Sequence, residues 1–192
     1  MMNRRKFVTI PAALIMTAAL AACTTTGNNA GGSNVNKRQE LNSGADTTLN
    51  RLYSSVPGSR EMGSRAKGIL VFPNVLAAGF MFGAEYGQGV LKVGGTPSGY
   101  YSTTTGSFGL QAGAQSKAVV IMFMTQNELD KFRNSSGWTA GADASVALAK
   151  IGANGAVDTN TARQAVVAFV LTNAGLMANL TVEGTKINKL DL

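Results

Sequence analysis

The stretch from Gly68 to Gly113 most constrains what this chain can become. It is rich in β-branched and aromatic residues, yet Gly79, Gly83, Gly87 and Gly89 interrupt it. Glycine inside a strand marks a bulge, a sharp bend or a close approach of two backbones. Many such positions in one run predict a curled sheet rather than a flat one. Ile69–Phe72 reads as a β run closed by Pro73-Asn74, and Val75–Val93 as the next. Gly99–Thr105, Gly106–Ala114 and Lys117–Met124 follow. The run Val119-Val120-Ile121-Met122-Phe123-Met124 has no polar alternation, which predicts a central strand buried on both faces. Gln126–Arg133 is expected to be helical with Leu129 and Phe132 inward. Ala165–Thr172 and Leu176–Glu183 read as a closing antiparallel pair, turned at Thr172–Gly175. The expected fold class is α+β: a strongly curled, mostly antiparallel glycine-rich sheet or half-barrel, with short N-terminal helices and one internal helix.

The N-terminal helices are read from spacing. Leu49, Leu52, Tyr53 and Val56 fall at i, i+3, i+4 and i+7, one helical face, within Asp46–Val56. Asp46 is the expected N-cap, and Pro57-Gly58 ends the helix. A second helix is expected from Ser59 to about Lys67, with Ser59 as its cap and Gly68 as its terminator. Ahead of both, Thr24 to Gly44 is Thr, Asn, Gly and Ser with few apolar residues. Such a stretch cannot bury enough surface to offset ordering entropy. It reads as a flexible tether, spanning roughly 25 Å as a random coil.

The first 22 residues have a different character. Met1–Phe7 carries Arg4, Arg5 and Lys6, and Val8–Ala22 is an almost unbroken apolar run. These are the parts of a secretory signal peptide. The run is short of the ~20 residues that a spanning helix needs. It ends in Leu20-Ala21-Ala22-Cys23, which resembles the lipobox of bacterial lipoproteins. That resemblance implies cleavage before Cys23, a diacylglyceryl thioether on its sulfur, and acylation of the new amine, palmitate among the acyl groups. The alternative is an ordinary signal peptide with a chance cysteine. Thr24 stands where an Asp would suggest inner-membrane retention, which favours the outer membrane. Asn3-Arg4-Arg5-Lys6-Phe7-Val8 also resembles a twin-arginine export motif, so either export route stays open. The expected organisation is a signal peptide at 1–22, the lipidated cysteine and tether at 23–44, and one folded domain at 45–192.

Chemistry is bounded by what the chain lacks. Cys23 is the single cysteine and there is no histidine, so a disulfide, a thiolate metal site and the usual zinc sets are excluded. The balance is +7, from 17 Lys and Arg against 10 Asp and Glu. Removing Arg4, Arg5 and Lys6 with the leader leaves 14 against 10, a mild excess of +4. That excess suits an anionic lipid surface. The mild charge, the absence of a basic–aromatic motif and the compartment exclude nucleic acid as a partner.

Several spaced segments resemble the SYLF lipid-binding domain. In order they are Lys67-Gly-Ile-Leu-Val-Phe-Pro-Asn74, Ala78-Gly-Phe-Met-Phe-Gly83 and Glu85-Tyr-Gly-Gln-Gly-Val90. Gly106-Ser-Phe-Gly-Leu-Gln-Ala-Gly-Ala-Gln115, Gly141-Ala-Asp-Ala-Ser-Val146 and Ala174-Gly175-Leu176-Met177-Ala178 complete the set. The likeness covers residues 45 to 188. It implies binding of phosphoinositides and other anionic lipids, with actin contact in some members, and an envelope lipoprotein in bacterial ones. The family offers no catalytic residues to carry over. Its lipid contact is associated with a lysine-rich amphipathic N-terminal helix, where this chain has Arg51 and no lysine cluster.

Four cations lie across the two expected helices: Arg51, Arg60, Arg65 and Lys67. Helical spacing (i, i+7) would gather Arg60 and Lys67 on one face. With the apolar Leu49, Leu52 and Tyr53 they form the candidate lipid-binding set, set against an ordinary solvated face. Ser64-Arg-Ala-Lys67 fits Ser-x-x-Lys, but the Ser-Asp-Asn and Lys-Thr-Gly elements that accompany it in penicillin-recognising enzymes do not occur. The GxxxG pairs 79/83 and 83/87 are broken by Glu85, Gln88 and Lys92 and read as β-bends, not membrane-helix contacts. Glu85 and Asp143 sit in small, glycine-rich surroundings, where an acid either satisfies backbone amides or joins a carboxylate pair. No catalytic residue, cofactor or metal site is expected. The functional expectation is a lipid-anchored envelope protein, not an enzyme, whose domain binds anionic phospholipid head groups. The alternative is a structural or protein-interaction lipoprotein.

Overall fold

The computed structural model describes residues 30–109, 115–150, 156–173, 175–177 and 182–192. The leader at 1–22, Cys23 and residues 24–29 of the expected tether lie outside the described residues. So do 110–114 of the glycine-rich run, Ala174 in the expected turn, and 178–181 of the expected last strand. Helices α1 (Ala30–Ser55) and α2 (Ser59–Arg65) precede strands β1 (Gly68–Val93), β2 (Thr96–Gly109) and β3 (Gln115–Phe123). Helix α3 (Gln126–Asn134) follows, then β4 (Trp138–Thr139) and β5 (Ala147–Leu148). Helix α4 (Thr159–Ala162), β6 (Val166–Thr172), β7 (Gly175–Met177) and β8 (Lys186–Leu190) complete the chain.

The strands form one strongly curled sheet, a half-barrel, in the order β4-β8-β2-β1-β3-β6-β5, with β7 on β6. Every pairing is antiparallel except β5 with β6. The expected α+β half-barrel is therefore what forms. Strand β3 is central, and Val119, Val120, Ile121, Met122 and Phe123 are all buried.

Glycine works where the curl demands it. The first part of β1, Gly68–Ala77, pairs with β3, and the second, Met81–Val93, pairs with β2. The two parts lie against each other. A Cβ on Gly87 would stand 2.8 Å from Val75 Cγ2, and one on Gly89 would stand 2.6 Å from Phe72 Cδ1 and closer still to the Val71 carbonyl oxygen. Only a residue without a side chain allows that approach.

Successive residues of each strand feed two cores, one on each face. On one face Leu70, Phe72, Leu91, Tyr101, Ile121 and Phe123 pack under α3, which buries Leu129 and Phe132 as its spacing predicts. Phe132 is at the centre of an aromatic group, 4.8 Å from both Tyr101 and Phe123 and edge-on to Trp138 at 5.6 Å. On the other face Val71, Val90, Val120, Met122 and Phe169 pack under Ala45, Leu49 and Leu52 of α1, Val56 just past its end, and Met62 of α2.

The structure corrects several local expectations. Helix α1 begins at Ala30, not Asp46, so residues 30–44 of the expected tether are helical and α1 is 26 residues long. Composition alone missed what that segment docks on. Leu41 is buried, the Arg38 guanidinium lies 5.9 Å over the Tyr100 ring, and Asn42 hydrogen-bonds the Tyr100 hydroxyl. Asp46 is accordingly mid-helix and pairs with Lys92 instead of capping. Ser59 does not cap α2. Gly58, at φ 85°, takes that place. The buried Ser59 hydroxyl donates to the Leu52 and Val56 carbonyls, which also accept the Val56 and Ser59 N–H groups, and so reinforces the link from α1 to α2. Helix α2 stops at Arg65 with Ala66 as its C-cap, and Gly68 opens β1 instead of ending the helix. Pro73-Asn74 does not close a strand, because a register shift between Phe72 and Val75 absorbs it. Gly99–Thr105 and the described part of Gly106–Ala114 belong to one strand, β2.

Candidate functional site

A cleft of about 560 Å³ lies where α1, α2 and the β1–β2 turn meet. Local sequence explains its walls. Pro57-Gly58 reverses the chain, and the Ser59 hydroxyl ties α2 back to the end of α1. Gly63 then faces Tyr53 so closely that a Cβ there would stand 2.9 Å from Tyr53 Cζ. Opposite, Val93 pairs with Thr96 around Gly94-Gly95, a two-residue hairpin loop with φ of 58° and 83°. Two consecutive positive φ angles match the turn that suits strand twist, which is why two glycines stand there.

The charged groups of the cleft are Arg60, Lys92 and Asp46. The Arg60 guanidinium sits 4.9 Å over the Tyr53 ring, and no carboxylate among the described residues pairs with it. The Lys92 side chain is only 10% exposed, while its partner Asp46 is 58% exposed. Burial raises the Tyr53 phenol above its usual value of 10, with Arg60 opposing the shift. Asn50 adds a side-chain amide to the same wall. The site thus has a cation excess, neutral donors and an apolar floor from Leu49 and Ile69.

The sequence-predicted set does not assemble as one patch. Leu49 and Leu52 are 8% and 0% exposed, inside the core beneath α1, so the stripe that could have faced lipid faces the sheet. Tyr53 and Arg60 line the cleft. Arg51 lines a different groove of about 440 Å³, with Glu40, Ser43, Thr47 and Pro73. Arg65 leans on Glu61 at 3.8 Å in solvent. Lys67 is exposed but lies beyond the end of α2, so the i, i+7 pairing with Arg60 does not hold. Its backbone N–H bonds the Phe123 carbonyl instead. The Cys23 position lies outside the described residues.

Sequence reading missed Lys92, Asp46 and Asn50 as cleft residues. The available signal was Lys92, a charge in an otherwise apolar strand end just before Gly94-Gly95. Glu85 and Asp143 take structural roles. Glu85 pairs with Lys117 at 2.7 Å, both largely buried, and Asp143 accepts the Thr139 N–H at 2.6 Å. The Ser64 hydroxyl donates to the Glu61 carbonyl.

Comparison with curated proteins gave no match. A family model does match: Ysc84, described as Las17-binding protein actin regulator, over residues 104–191. That span runs from the middle of β2 through β8, leaving α1, α2, β1 and the cleft outside it. Residues 104–191 are thus similar to the Ysc84 family, the family of the SYLF domain.

Proposed function

We propose that this chain is a bacterial envelope lipoprotein, anchored by acyl chains on Cys23 in the outer membrane, whose SYLF domain binds anionic phospholipid or phosphoinositide head groups and catalyses no reaction. The family points to lipid or actin-related binding in general. The observation that carries the lipid reading is Arg60, a guanidinium with no carboxylate partner among the described residues, at the mouth of a cleft beside the N-terminal helices. Arg51, Arg65 and Lys67 add exposed charge nearby in sequence. With Leu49 and Leu52 committed to the core, binding is electrostatic and does not insert α1 into the bilayer. No described helix is long and apolar enough to cross a membrane.

Each cation near an anionic surface contributes about 1 kcal/mol. Four therefore give sub-millimolar or weaker affinity, too little to localise a free domain. The acyl anchor supplies the missing term by holding the domain at high effective concentration. Both core clusters lie within residues 45–187, so a chain starting at Thr24 keeps the whole folded core without the anchor. That chain should float with anionic vesicles at low salt. It should release at high salt, since exposed charges are screened within about 8 Å at physiological ionic strength. Replacing Arg51, Arg60, Arg65 and Lys67 together by Gln should abolish flotation. Absence of binding at low salt, or equal binding by the variant, would refute the reading. The protein-interaction alternative then takes its place, favoured by a family description that names a protein partner.

A further inference from the structure

We infer that the cleft between α1, α2 and the Gly94-Gly95 turn is a binding site for a single phosphate group, and that Asp46 occupies Lys92 in its absence. The inference deepens the lipid reading by assigning a ligand chemistry to one place, but it also stands for a soluble phosphate ester. Lys92 carries the argument. Its side chain is only 10% exposed, and its ammonium is satisfied by a carboxylate that is itself mostly in solvent. Taking an unpaired ammonium out of water is costly, so an anion must stay there, yet nothing requires it to be Asp46. Exchange of one anion for another keeps Lys92 paired and returns an exposed carboxylate to water.

The surroundings supply what phosphate needs beyond one charge. Arg60 offers a planar fork of N–H donors, held over Tyr53 and not spent on a carboxylate. Asn50 adds an amide on the same wall. In the Gly94-Gly95 loop, Val93 and Thr96 close the ladder, so the two glycine N–H groups have no ladder partner. With Arg60 and Lys92 against Asp46 the cleft holds a net single positive charge, which an incoming phosphate offsets. About 560 Å³ is far more than a bare phosphate fills, leaving room for the glycerol or sugar that it esterifies.

The test is a titration of the chain from Thr24 with inorganic phosphate, read by amide chemical shifts against sodium chloride at matched ionic strength. Gly63, Gly94 and Gly95 should shift and saturate with phosphate only. Arg60→Gln, at an exposed position, should weaken the affinity on the order of tenfold, the loss of one charge-assisted bond. Asp46→Asn removes the competing anion and should tighten it several-fold. This opposite sign separates ligand exchange from general attraction. Shifts that map elsewhere, that chloride reproduces, or an Asp46→Asn variant that binds no better would overturn the inference. Vesicles of phosphatidylglycerol in phosphatidylcholine, against phosphatidylcholine alone, separate the sources. If phosphate binds the cleft but the vesicles do not, the ligand is a soluble phosphate ester and the lipid reading fails alone. If the wild type floats while phosphate leaves the cleft amides unmoved, the lipid reading stands and the cleft assignment falls.

Discussion

Gly89→Ala asks whether the curl of the sheet rests on close contact between the two parts of β1. The added methyl would stand 2.6 Å from Phe72 Cδ1 and nearer still to the carbonyl oxygen of Val71. Neither neighbour yields easily. Phe72 is buried in the core, and Val71 is fixed in the ladder opposite Val120. Overpacking in a well-packed interior costs about 1–3 kcal/mol, and a clash with paired backbone belongs at the upper end. In a domain of this size each kcal/mol lowers Tm by about 2–4 °C, so a fall of roughly 6–12 °C is expected. Thermal and urea unfolding followed by circular dichroism would measure it. Gly106→Ala is the matched control. It is also a strand glycine, opposite Ala84, but nothing lies within 4 Å of its Cβ position and its φ is ordinary. Removing glycine's backbone freedom there should be neutral or stabilising by up to about 1 kcal/mol. Equal melting of Gly89→Ala and wild type would show that the two parts of β1 are not in contact, and the account of the curl would fail.

Three further outcomes are expected. Glu85→Ala leaves the Lys117 ammonium largely buried and unpaired and should cost about 2–3 kcal/mol, while Glu85→Leu with Lys117→Leu should cost less; the opposite order in urea melts would refute the pair's role. Burial raises both Tyr53 and Tyr101 above the usual value of 10, with Arg60 and Arg133 opposing, so the neutral phenols favour the folded state. Their contribution is complete below pH 10 and is lost as pH rises through the folded values, and Tyr53→Phe should flatten that alkaline fall in Tm; a fall that begins well below pH 10 has another cause. Cys23→Ser should move the protein out of the membrane fraction, and a variant that still pellets with membranes after a high-salt wash would show that the anchor lies elsewhere.

What was legible in the sequence was what local pattern determines. The unbroken apolar run at 119–124 has one physical solution, a strand covered on both faces, and β3 is that strand. Leu129 and Phe132 sit three apart, so α3 was readable, as was the reversal between β6 and β7. Long-range partners were not readable. Leu49, Leu52 and Tyr53 make the same stripe whether it meets a bilayer or a sheet, and only the fold shows Val71, Val90 and Phe169 beneath it. The early turns of α1 hold few apolar residues, so their order depends on Leu41 and on Tyr100, far along the chain. Strand β8 reads Lys-Ile-Asn-Lys-Leu, too short and polar to stand out, and it exists because β2 and β4 flank it. The cleft escaped notice because its two walls come from segments that no periodicity links.

The position of β8 has a consequence for when this domain can form. It lies between β2 and β4, with Tyr100 opposite Leu190, Thr104 opposite Lys186 and Trp138 opposite Ile187. Residues 186–190 therefore complete the middle of one side of the sheet. While a ribosome or a translocation pore still holds those residues, β4 has no strand to pair with and β2 presents an open edge. Such distant pairings close slowly, on the order of milliseconds to seconds. A nascent chain stays unfinished until residues 186–190 are free to pair, and an unfinished chain can be threaded through a narrow pore. The same topology makes residues 186–190 costly to lose: their removal takes a strand from within the sheet, not a tail from its margin.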